Sequence, residues 1–218
     1  FFAWFAVDEA MLRRVMTELT SRGATHADIY FQHTRSNSIA MGDGIVSQAY
    51  SNIEQGVGLR VVVGDQVGYA FTEDITEAAM TAAARTAAAI ANGRAVVPPQ
   101  QLSFRKDDGT HYRIKVPWSD VGVDKKLPKI QQAESLGRAG ASDARIKKVS
   151  VYWSDSDERV MVVNKDGRIV TDVRPMARMY VNLTAEKNGK QQTNGSNIAG
   201  RRGFEWLDDG QLKKVTKE

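Results

Sequence analysis

The sequence predicts an α+β fold, in which an antiparallel or mixed, curved β-sheet carries two or three packed helices. Three observations predict it. Apolar residues recur at helical spacing in separate segments, short alternating segments lie between glycine turns in both halves of the chain, and 42% of the 218 residues are hydrophobic. That content is sufficient for one good core or two small ones.

The first helix is predicted from Asp8, a suitable N-cap, to about Arg22, with Gly23 as the stop. One apolar stripe supports it. Its members are Met11, Leu12, Val15, Met16 and Leu19. The preceding segment Phe1–Val7 is apolar but has no basic leader and no initiating Met. Two interpretations stay open for it, a packed terminal segment or the remnant of a trimmed leader.

A first block of antiparallel strands follows. The predicted strands are 27–34, 38–41, 45–50, 58–63 and 66–71. Gly42-Asp43-Gly44 and Gly64-Asp65 are typical hairpin signals between them. The polar run from Ser51 is interpreted as a break before the Gly-x-Gly that begins the fourth strand. Asp74-Ile75-Thr76-Glu77 has the form of a capping box and opens an alanine-rich helix over 76–91, suited to close packing on a sheet.

The second half follows a connector that includes one short strand at Tyr112–Val116, and it consists of one helix and a second block of strands. A helix is predicted from Asp124 to about Ala139. The strands that follow are 147–154, 159–164, 168–174 and 177–187, with hairpin turns at Asp166-Gly167 and Asn188-Gly189. Asp155-Ser156-Asp157-Glu158 is interpreted as a solvated turn, and Asn194 to Gly203 as a mobile loop. The predicted organisation is therefore 8–93 (first β-meander with flanking helices), 94–123 (linker) and 124–206 (helix plus second β-meander).

Composition excludes several functions. The net charge of +4 is mild and shows no basic stripe with interleaved aromatics, so nucleic-acid binding is not favoured. No apolar run approaches the roughly 20 residues that span a bilayer, which predicts no membrane partner. The chain has no cysteine, which excludes disulfides and thiolate metal sites. This fits a cytoplasmic location, and an exported form stays open.

No metal or catalytic site is predicted within the chain. Its three histidines, His26, His33 and His111, are scattered, and the spacing of the first two places them on opposite faces of a strand. A zinc site needs about four clustered ligands. No Gly-x-Ser-x-Gly nucleophile motif occurs either.

Four segments, taken in order, resemble one protein family. They are Ala27 to Gln32, Ser51 to Val63 with Gly68-Tyr69-Ala70 behind it, Asp166-Gly167 leading through Asp172-Val173-Arg174-Pro175 to Arg178 and Val181, and Arg202-Gly203-Phe204-Glu205-Trp206. A lone Gly-x-Gly is common, but four such segments at plausible spacings are hard to produce by chance. Over roughly Met11 to Trp206 the chain resembles the TldD/PmbA family of metallopeptidases, and its TldD branch more than its PmbA (TldE) branch.

The resemblance implies an amino-terminal domain that packs against a carboxy-terminal domain carrying zinc on a His-Glu-x-x-x-His helix. That motif does not occur in these 218 residues. The expected zinc therefore belongs to a carboxy-terminal half that the sequence does not include, and both ends look cut. The resemblance also implies peptide substrates, unfolded or leader peptides degraded in a closed cavity, and a TldE/PmbA-like partner subunit or a second copy.

Candidate substrate- or partner-binding residues come from two sources. Gln55-Gly56-Val57-Gly58 leads into a strand rather than a helix, which argues against a phosphate loop. Its glycines permit a close backbone approach, either by a peptide or partner strand at a sheet edge or by the alanine-rich helix. Arg60, Arg174 and Arg178, in or next to the predicted strands, could form surface salt bridges or interface ion pairs, or bind a peptide carboxylate. Arg202 lies in the predicted mobile loop, which could line a cavity.

The sequence therefore favours the non-catalytic amino-terminal part of a TldD-like zinc metallopeptidase, which encloses substrate and takes part in subunit assembly. An alternative is a stand-alone peptide- or protein-binding module without hydrolytic activity. A third hypothesis, nucleic-acid binding, comes from the family's older description as a modulator of DNA gyrase and predicts salt-dependent affinity for DNA.

Overall fold

A computed structural model of the chain describes residues 1–91, 105–108, 111–112, 114–140 and 145–217. The described helices are α1 (Phe2–Phe5), α2 (Glu9–Leu19), α3 (Glu77–Ala91), α4 (Val123–Ala139) and α5 (Asp209–Lys217). The described strands are β1 (His26–Gly42), β2 (Ile45–Val63), β3 (Gln66–Thr72), β4 (Arg105–Asp108), β5 (Ile146–Asn164), β6 (Arg168–Lys187) and β7 (Lys190–Gly200). Short 3-10 helices lie at Trp118–Asp120 and Phe204–Trp206.

The seven strands form one sheet with the order β3-β2-β1-β5-β6-β4, and β7 also pairs with β6. The pairs β2–β3 and β6–β7 are antiparallel, whereas β4 and β6 are parallel. The predicted α+β class is therefore confirmed, and the sheet is mixed. Two further helices, α1 and α5, were not predicted.

The chain divides into two compact units, each assembled from three stretches. Unit 1 comprises 1–33, 54–111 and 159–173, and unit 2 comprises 34–53, 112–158 and 174–218. Four strands, β1, β2, β5 and β6, each contribute residues to both units.

In unit 1, helices α2 and α3 cover one face of the sheet. Asp8 accepts a hydrogen bond from the Met11 amide at 2.7 Å, which confirms it as the N-cap of α2. The helix ends at Leu19, earlier than predicted, and Gly23 adopts a φ of 87°. The α2 stripe is buried together with alternate residues of β1. This part of the core comprises Leu12, Val15, Met16, Leu19, Ala27, Ile29 and Phe31.

The amino-terminal segment of the chain packs on this core. Phe5 and Val7 are buried, and the Phe5 ring lies 5.3 Å from the ring of Phe31. Trp4 meets His33 edge-on at 5.2 Å, while the guanidinium of Arg159 lies 3.9 Å from the Trp4 ring centroid. Of the two interpretations of this segment, the packed one describes its structure.

In unit 2, the core forms around two tryptophans whose ring centroids are 5.1 Å apart, Trp118 and Trp153. Helix α4 contributes Ile130 and Ala133, and α5 contributes Leu212 and Val215. Because α5 is only nine residues long and contains Gly210 in its first turn, its pattern is too short to stand out in the sequence.

The hairpin turns are confirmed where the sequence predicts them. Asp43-Gly44 has φ values of 51° and 79°, and Asn188-Gly189 has 52° and 73°. Positive φ at both central residues is the geometry that favours Asn-Gly and Asp-Gly in two-residue hairpins. Gly64 and Gly167 also have positive φ, at 58° and 81°.

Strand length is where the sequence-based prediction is wrong. Each of β1, β2, β5 and β6 is one strand, although the sequence predicts each as two. The polar run Ser51–Gln55 lies within β2, and Asp155–Glu158 lies within β5 instead of forming a solvated turn. The predicted mobile loop over 194–203 is β7 as far as Gly200, and it pairs with β6. Main-chain pairing with the neighbouring strand continues through these polar stretches, whatever the side chains are.

Three local predictions also need correction. The described residues of the segment 112–116 are not in a strand. Helix α4 begins at Val123 with Gly122 as its N-cap, so Asp124 lies in the first turn and does not cap it. For α3 the capping oxygen is Thr76 Oγ1, which accepts from the Ala79 amide at 3.3 Å. Asp74 instead accepts from Thr76.

Candidate peptide-binding groove

An open groove lies on the sheet face of unit 1 that the helices leave free. Its volume is about 270 Å³. Strands β1, β2 and β3 and the turn after β3 line it. The lining residues are Tyr30, Gln32, Glu54, Gln55, Gly56, Val57, Gly58, Tyr69, Phe71, Thr72 and Glu73.

Strand alternation explains how these residues come together. Because Ala27, Ile29 and Phe31 of β1 face the helices, Tyr30 and Gln32 face the other way. On β3 the residues of the open face are Val67, Tyr69 and Phe71, exposed by 56%, 56% and 69%. The antiparallel register places Tyr69 opposite Arg60 and Phe71 opposite Gly58.

Glycines decide how closely the groove side chains approach the sheet. A Cβ at Gly58 would lie 2.7 Å from the Tyr69 hydroxyl oxygen and 3.2 Å from its ring, so the ring lies directly over this backbone. A Cβ at Gly56 would meet the Thr72 carbonyl oxygen at 3.1 Å. Both contacts are with β3 and its flank, so the helix-packing interpretation of these two glycines is wrong. Gly68 has that role, since a Cβ there would overlap the carbonyl oxygen of Ala87 in α3.

The groove face carries one arginine, Arg60, that forms an ion pair, and two glutamates line the groove. Arg60 donates from Nε and Nη2 to Asp28 Oδ2, at 2.9 and 2.6 Å. His26 Nε2 is 3.2 Å from the same oxygen. Glu54 and Glu73 line the groove beside the aromatic rings. The arrangement suits an extended chain with apolar and basic side chains, because rings offer apolar contact and carboxylates attract cations.

The remaining candidate arginines belong to unit 2. Arg174 Nη1 lies 3.6 Å from Glu158 Oε2, and the Arg178 guanidinium lies 5.8 Å from the ring centroid of Tyr180. Arg202 has an exposed side chain, and its carbonyl oxygen accepts from Trp118 Nε1 at 2.7 Å. The structure thus brings Gln55 to Gly58 to one groove, with Arg60 on the same face, while the other three arginines lie outside that unit. Binding by any of the eight stays a prediction.

The three aromatic residues of the groove, Tyr30, Tyr69 and Phe71, were missed as site residues. A signal for two of them exists in the sequence, since Val67, Tyr69 and Phe71 alternate with Gly68 and Ala70. Large residues on one strand face and small ones on the other indicate a strand whose small side packs closely. Its large side is then left for another partner.

The described residues do not fit a zinc site. Among them no group of three or more His, Asp or Glu side chains lies close enough to hold a metal ion. Within the same residues, no helix is long and apolar enough to cross a membrane.

The fold is shared with solved structures of chains about twice as long. A proposed modulator of DNA gyrase from Bacteroides thetaiotaomicron matches with a TM-score of 0.72 at 12% identity, over 95% of this chain and 48% of that one. A second, from Thermotoga maritima, gives 0.71 at 17% identity over 96% and 47%. TldE from Thermococcus kodakarensis gives 0.64 at 17% identity over 94% and 46%. At these identities the likeness concerns the fold.

Sequence comparison establishes the family. Residues 27–91 match the PmbA/TldA metallopeptidase domain 1, and residues 117–218 match the PmbA/TldA metallopeptidase central domain. The chain therefore belongs to the PmbA/TldD metallopeptidase family, which confirms the resemblance found in its motifs.

Curated relatives agree with this assignment. The metalloprotease TldD homologue of Haemophilus influenzae is 27% identical over 94% of this chain and 43% of its own length. A metalloprotease of Methanocaldococcus jannaschii is 25% identical over 86% and 41%. The chain thus spans less than half the length of these relatives.

Proposed function

We propose that the chain is the amino-terminal, non-catalytic part of a TldD-like zinc metallopeptidase, in which it encloses peptide substrates and takes part in subunit assembly. The observation that carries the proposal is the ordered match to domain 1 and the central domain of that family. The relatives matched over less than half their length are named metalloproteases. We assign the parent protein to the cytoplasm and give it a TldE/PmbA-like subunit or a second copy as its partner.

The hydrolytic chemistry would be supplied outside these residues. Zinc in such an enzyme polarises the scissile carbonyl and activates a water molecule. The described residues offer no fitting ligand cluster, and none of the three histidines is followed by Glu. The chain alone is therefore expected neither to bind catalytic zinc nor to cleave peptides.

The groove of unit 1 supplies the substrate-binding part of the proposal. Phe71 and Tyr69 present apolar surface that the rest of the unit leaves exposed. Glu54 and Glu73 give the same groove a negative charge. An unfolded peptide exposes both apolar and charged side chains along an extended backbone, so a shallow groove of this kind can hold many sequences without high selectivity.

The experiment that tests the parent assignment is to read the coding sequence downstream of the Glu218 codon. The expected result is a frame that continues into a segment encoding His-Glu-x-x-x-His. A stop codon close to Glu218 would overturn the assignment and favour the binding module without hydrolysis.

Groove binding has a separate test in the purified chain. Tyr69→Ala and Phe71→Ala are each expected to weaken binding of a fluorescein-labelled, unstructured peptide rich in Leu and Lys by about tenfold, because each removes aromatic contact area. Fluorescence anisotropy gives the dissociation constants. Val67→Ala is the matched control, since Val67 lies on the same strand face outside the groove lining. Equal affinities for all four proteins would contradict substrate binding here.

A further inference from the structure

The part of β2 that belongs to unit 2 is unusually exposed. We name residues 45–53 the open segment. Every residue in it is solvent-exposed, so both faces of the strand are accessible. Its largest apolar side chains are among the most exposed that the structure describes, with Ile45 at 71%, Ile53 at 60% and Tyr50 at 56%. A strand of this length is normally buried on at least one face.

The outer edge of the open segment is not covered by β3. Strand β2 has two neighbours in the sheet, β1 and β3. The register with β3 begins at Val57 and ends at Val63. Among the described residues, β3 therefore stops short of the open segment, whose main chain faces outward on that side.

The open segment also lacks the features that protect exposed edges. Soluble proteins usually place Lys, Pro or other charged residues on a free strand edge to prevent pairing with another chain. The sequence Ile-Val-Ser-Gln-Ala-Tyr-Ser-Asn-Ile contains no charged residue and no proline. An uncharged, partly apolar edge is a template for a further strand.

The residue pattern of the open segment is self-complementary. If two copies run antiparallel about a two-fold axis at Ala49, Ile45 of each lies opposite Ile53 of the other. Ser47 then lies opposite Ser51, and Ala49 opposite its own copy. On this strand face apolar residues thus meet apolar ones and small residues meet small ones. On the other face Val46 lies opposite Asn52 and Gln48 opposite Tyr50, so no like charges are opposed on either face. A two-fold interface requires this kind of self-matching surface.

We propose that two copies of the chain pair through their open segments, antiparallel and centred on Ala49, which extends the sheet from one copy into the next. This pairing is one form of the subunit assembly named in the proposed function, and its biological role rests on that function. Its geometry is argued from the open segment alone. A strand from a different polypeptide is the competing occupant. It would leave this chain monomeric.

The first test uses the absence of cysteine in the chain. Facing residues of antiparallel strands have Cα atoms about 4.5–5.5 Å apart, which is within disulfide range. Ala49→Cys is therefore expected to give a covalent dimer on mild oxidation. Asp65→Cys, in the exposed turn after β2, is the matched control and should stay monomeric. Absence of the Ala49→Cys dimer, or equal cross-linking of both variants, would overturn the proposal.

The second test checks the register by charge. Ser47→Lys/Ser51→Lys places Lys opposite Lys in the pair, and Ser47→Glu/Ser51→Glu places Glu opposite Glu. Each double variant is expected to raise the dimer dissociation constant at least about tenfold in sedimentation, because like charges oppose each other across the strands. An equimolar mixture should form heterodimers, since each Lys then faces a Glu. Recombination also shows that both variants are folded.

The outcomes separate this proposal from the proposed function. A monomeric parent chain in sedimentation, or a mixture of the two double variants that does not recombine, overturns self-pairing and leaves the peptidase assignment standing. A dimer that behaves as expected, together with a stop codon near Glu218, supports self-pairing and overturns the peptidase assignment.

Discussion

At the scale of single residues, the most informative group is a buried carboxylate in β5. Asp155 is 3% exposed and accepts from Lys126 Nζ at 2.8 and 2.9 Å, from Trp153 Nε1 at 2.6 Å and from Asn37 Nδ2 at 2.7 Å. Lys126 is equally buried. The carboxylate thus accepts hydrogen bonds from two neutral donors and one ammonium group. It links α4, β1 and β5, the elements that carry these three partners. The sequence analysis interprets Asp155–Glu158 as a solvated turn, and for this reason it does not predict the buried carboxylate of Asp155.

Removing this carboxylate should be costly. Asp155→Ala leaves the Lys126 ammonium buried without its counter-charge, and breaking such a pair costs about 3–5 kcal/mol. Urea unfolding measures the change. Asp155→Ala/Lys126→Met should recover part of the loss, because the unpaired charge is gone. Asp166→Ala is the control: its side chain is 60% exposed, and the change should stay within about 0.5 kcal/mol. Similar losses for Asp155→Ala and Asp166→Ala would contradict the buried pair.

Glu205, in the fourth segment of the family resemblance, gives a prediction about pH. Burial opposes its ionisation, but the amides of Lys115, Glu205 and Val116 donate to the carboxylate, so its pKa lies below the ordinary value. The Lys115 and Val116 bonds are both 3.1 Å. Since the folded pKa is depressed, this stabilisation is fully present above the unfolded glutamate pKa of about 4.3. It is lost as pH falls through the folded pKa.

The measurement is the free energy of unfolding of the parent chain and of Glu205→Gln between neutral and acidic pH. The difference between the two proteins should be largest near neutral pH and shrink as the carboxyl group of the parent is protonated. A difference that is constant across this range would show that the carboxylate charge has no part in holding the 3-10 helix Phe204–Trp206 to residues 115–116.

At the scale of elements, the glycine hairpin turns and the helices α2, α3 and α4 were predictable, whereas α1, α5 and the strand lengths were not. Asp43-Gly44 and Asn188-Gly189 specify their backbone angles locally, and the α2 stripe specifies its buried face. In contrast, Ser51–Gln55 is in a strand because β1 supplies main-chain partners, and the local composition does not encode this. For the same reason the groove glycines were recognised, but the aromatic rings that meet them from β3 were not. Contacts between strands depend on a register that only the folded sheet fixes.

The contact between α3 and β3 depends on one glycine. A Cβ at Gly68 would overlap the Ala87 carbonyl oxygen and lie 3.1 Å from the Ala91 amide nitrogen, and a helix backbone cannot move aside cheaply. Gly68→Ala is therefore expected to cost at least about 2 kcal/mol in thermal or urea unfolding. Gly42→Ala is the matched control, because its nearest atoms lie at 3.8 and 4.0 Å. A Gly68→Ala protein as stable as Gly42→Ala would show that α3 packs differently.

At the scale of the whole molecule, the two compact units do not follow the order of the chain. Each is built from three separate stretches. Four strands, β1, β2, β5 and β6, run from one unit into the other, at residues 33–34, 53–54, 158–159 and 173–174. The sequence predicts two consecutive blocks, 8–93 and 124–206, and the family matches at 27–91 and 117–218 are also consecutive. Consecutive blocks are the natural description of a sequence pattern, whereas contacts group the residues into units that each include part of β1, β2, β5 and β6.

The two descriptions differ in what they expect of fragments. A cut between residues 111 and 112 removes 159–173 from the first fragment and 34–53 from the second, so each unit loses a stretch that supplies core residues such as Met161 and Met41. Neither fragment should fold cooperatively alone, because each lacks strands that its core needs, while an equimolar mixture should regain the near-UV circular dichroism of the parent chain. Dispersed amide spectra from either isolated fragment would contradict the discontinuous units and favour two consecutive domains.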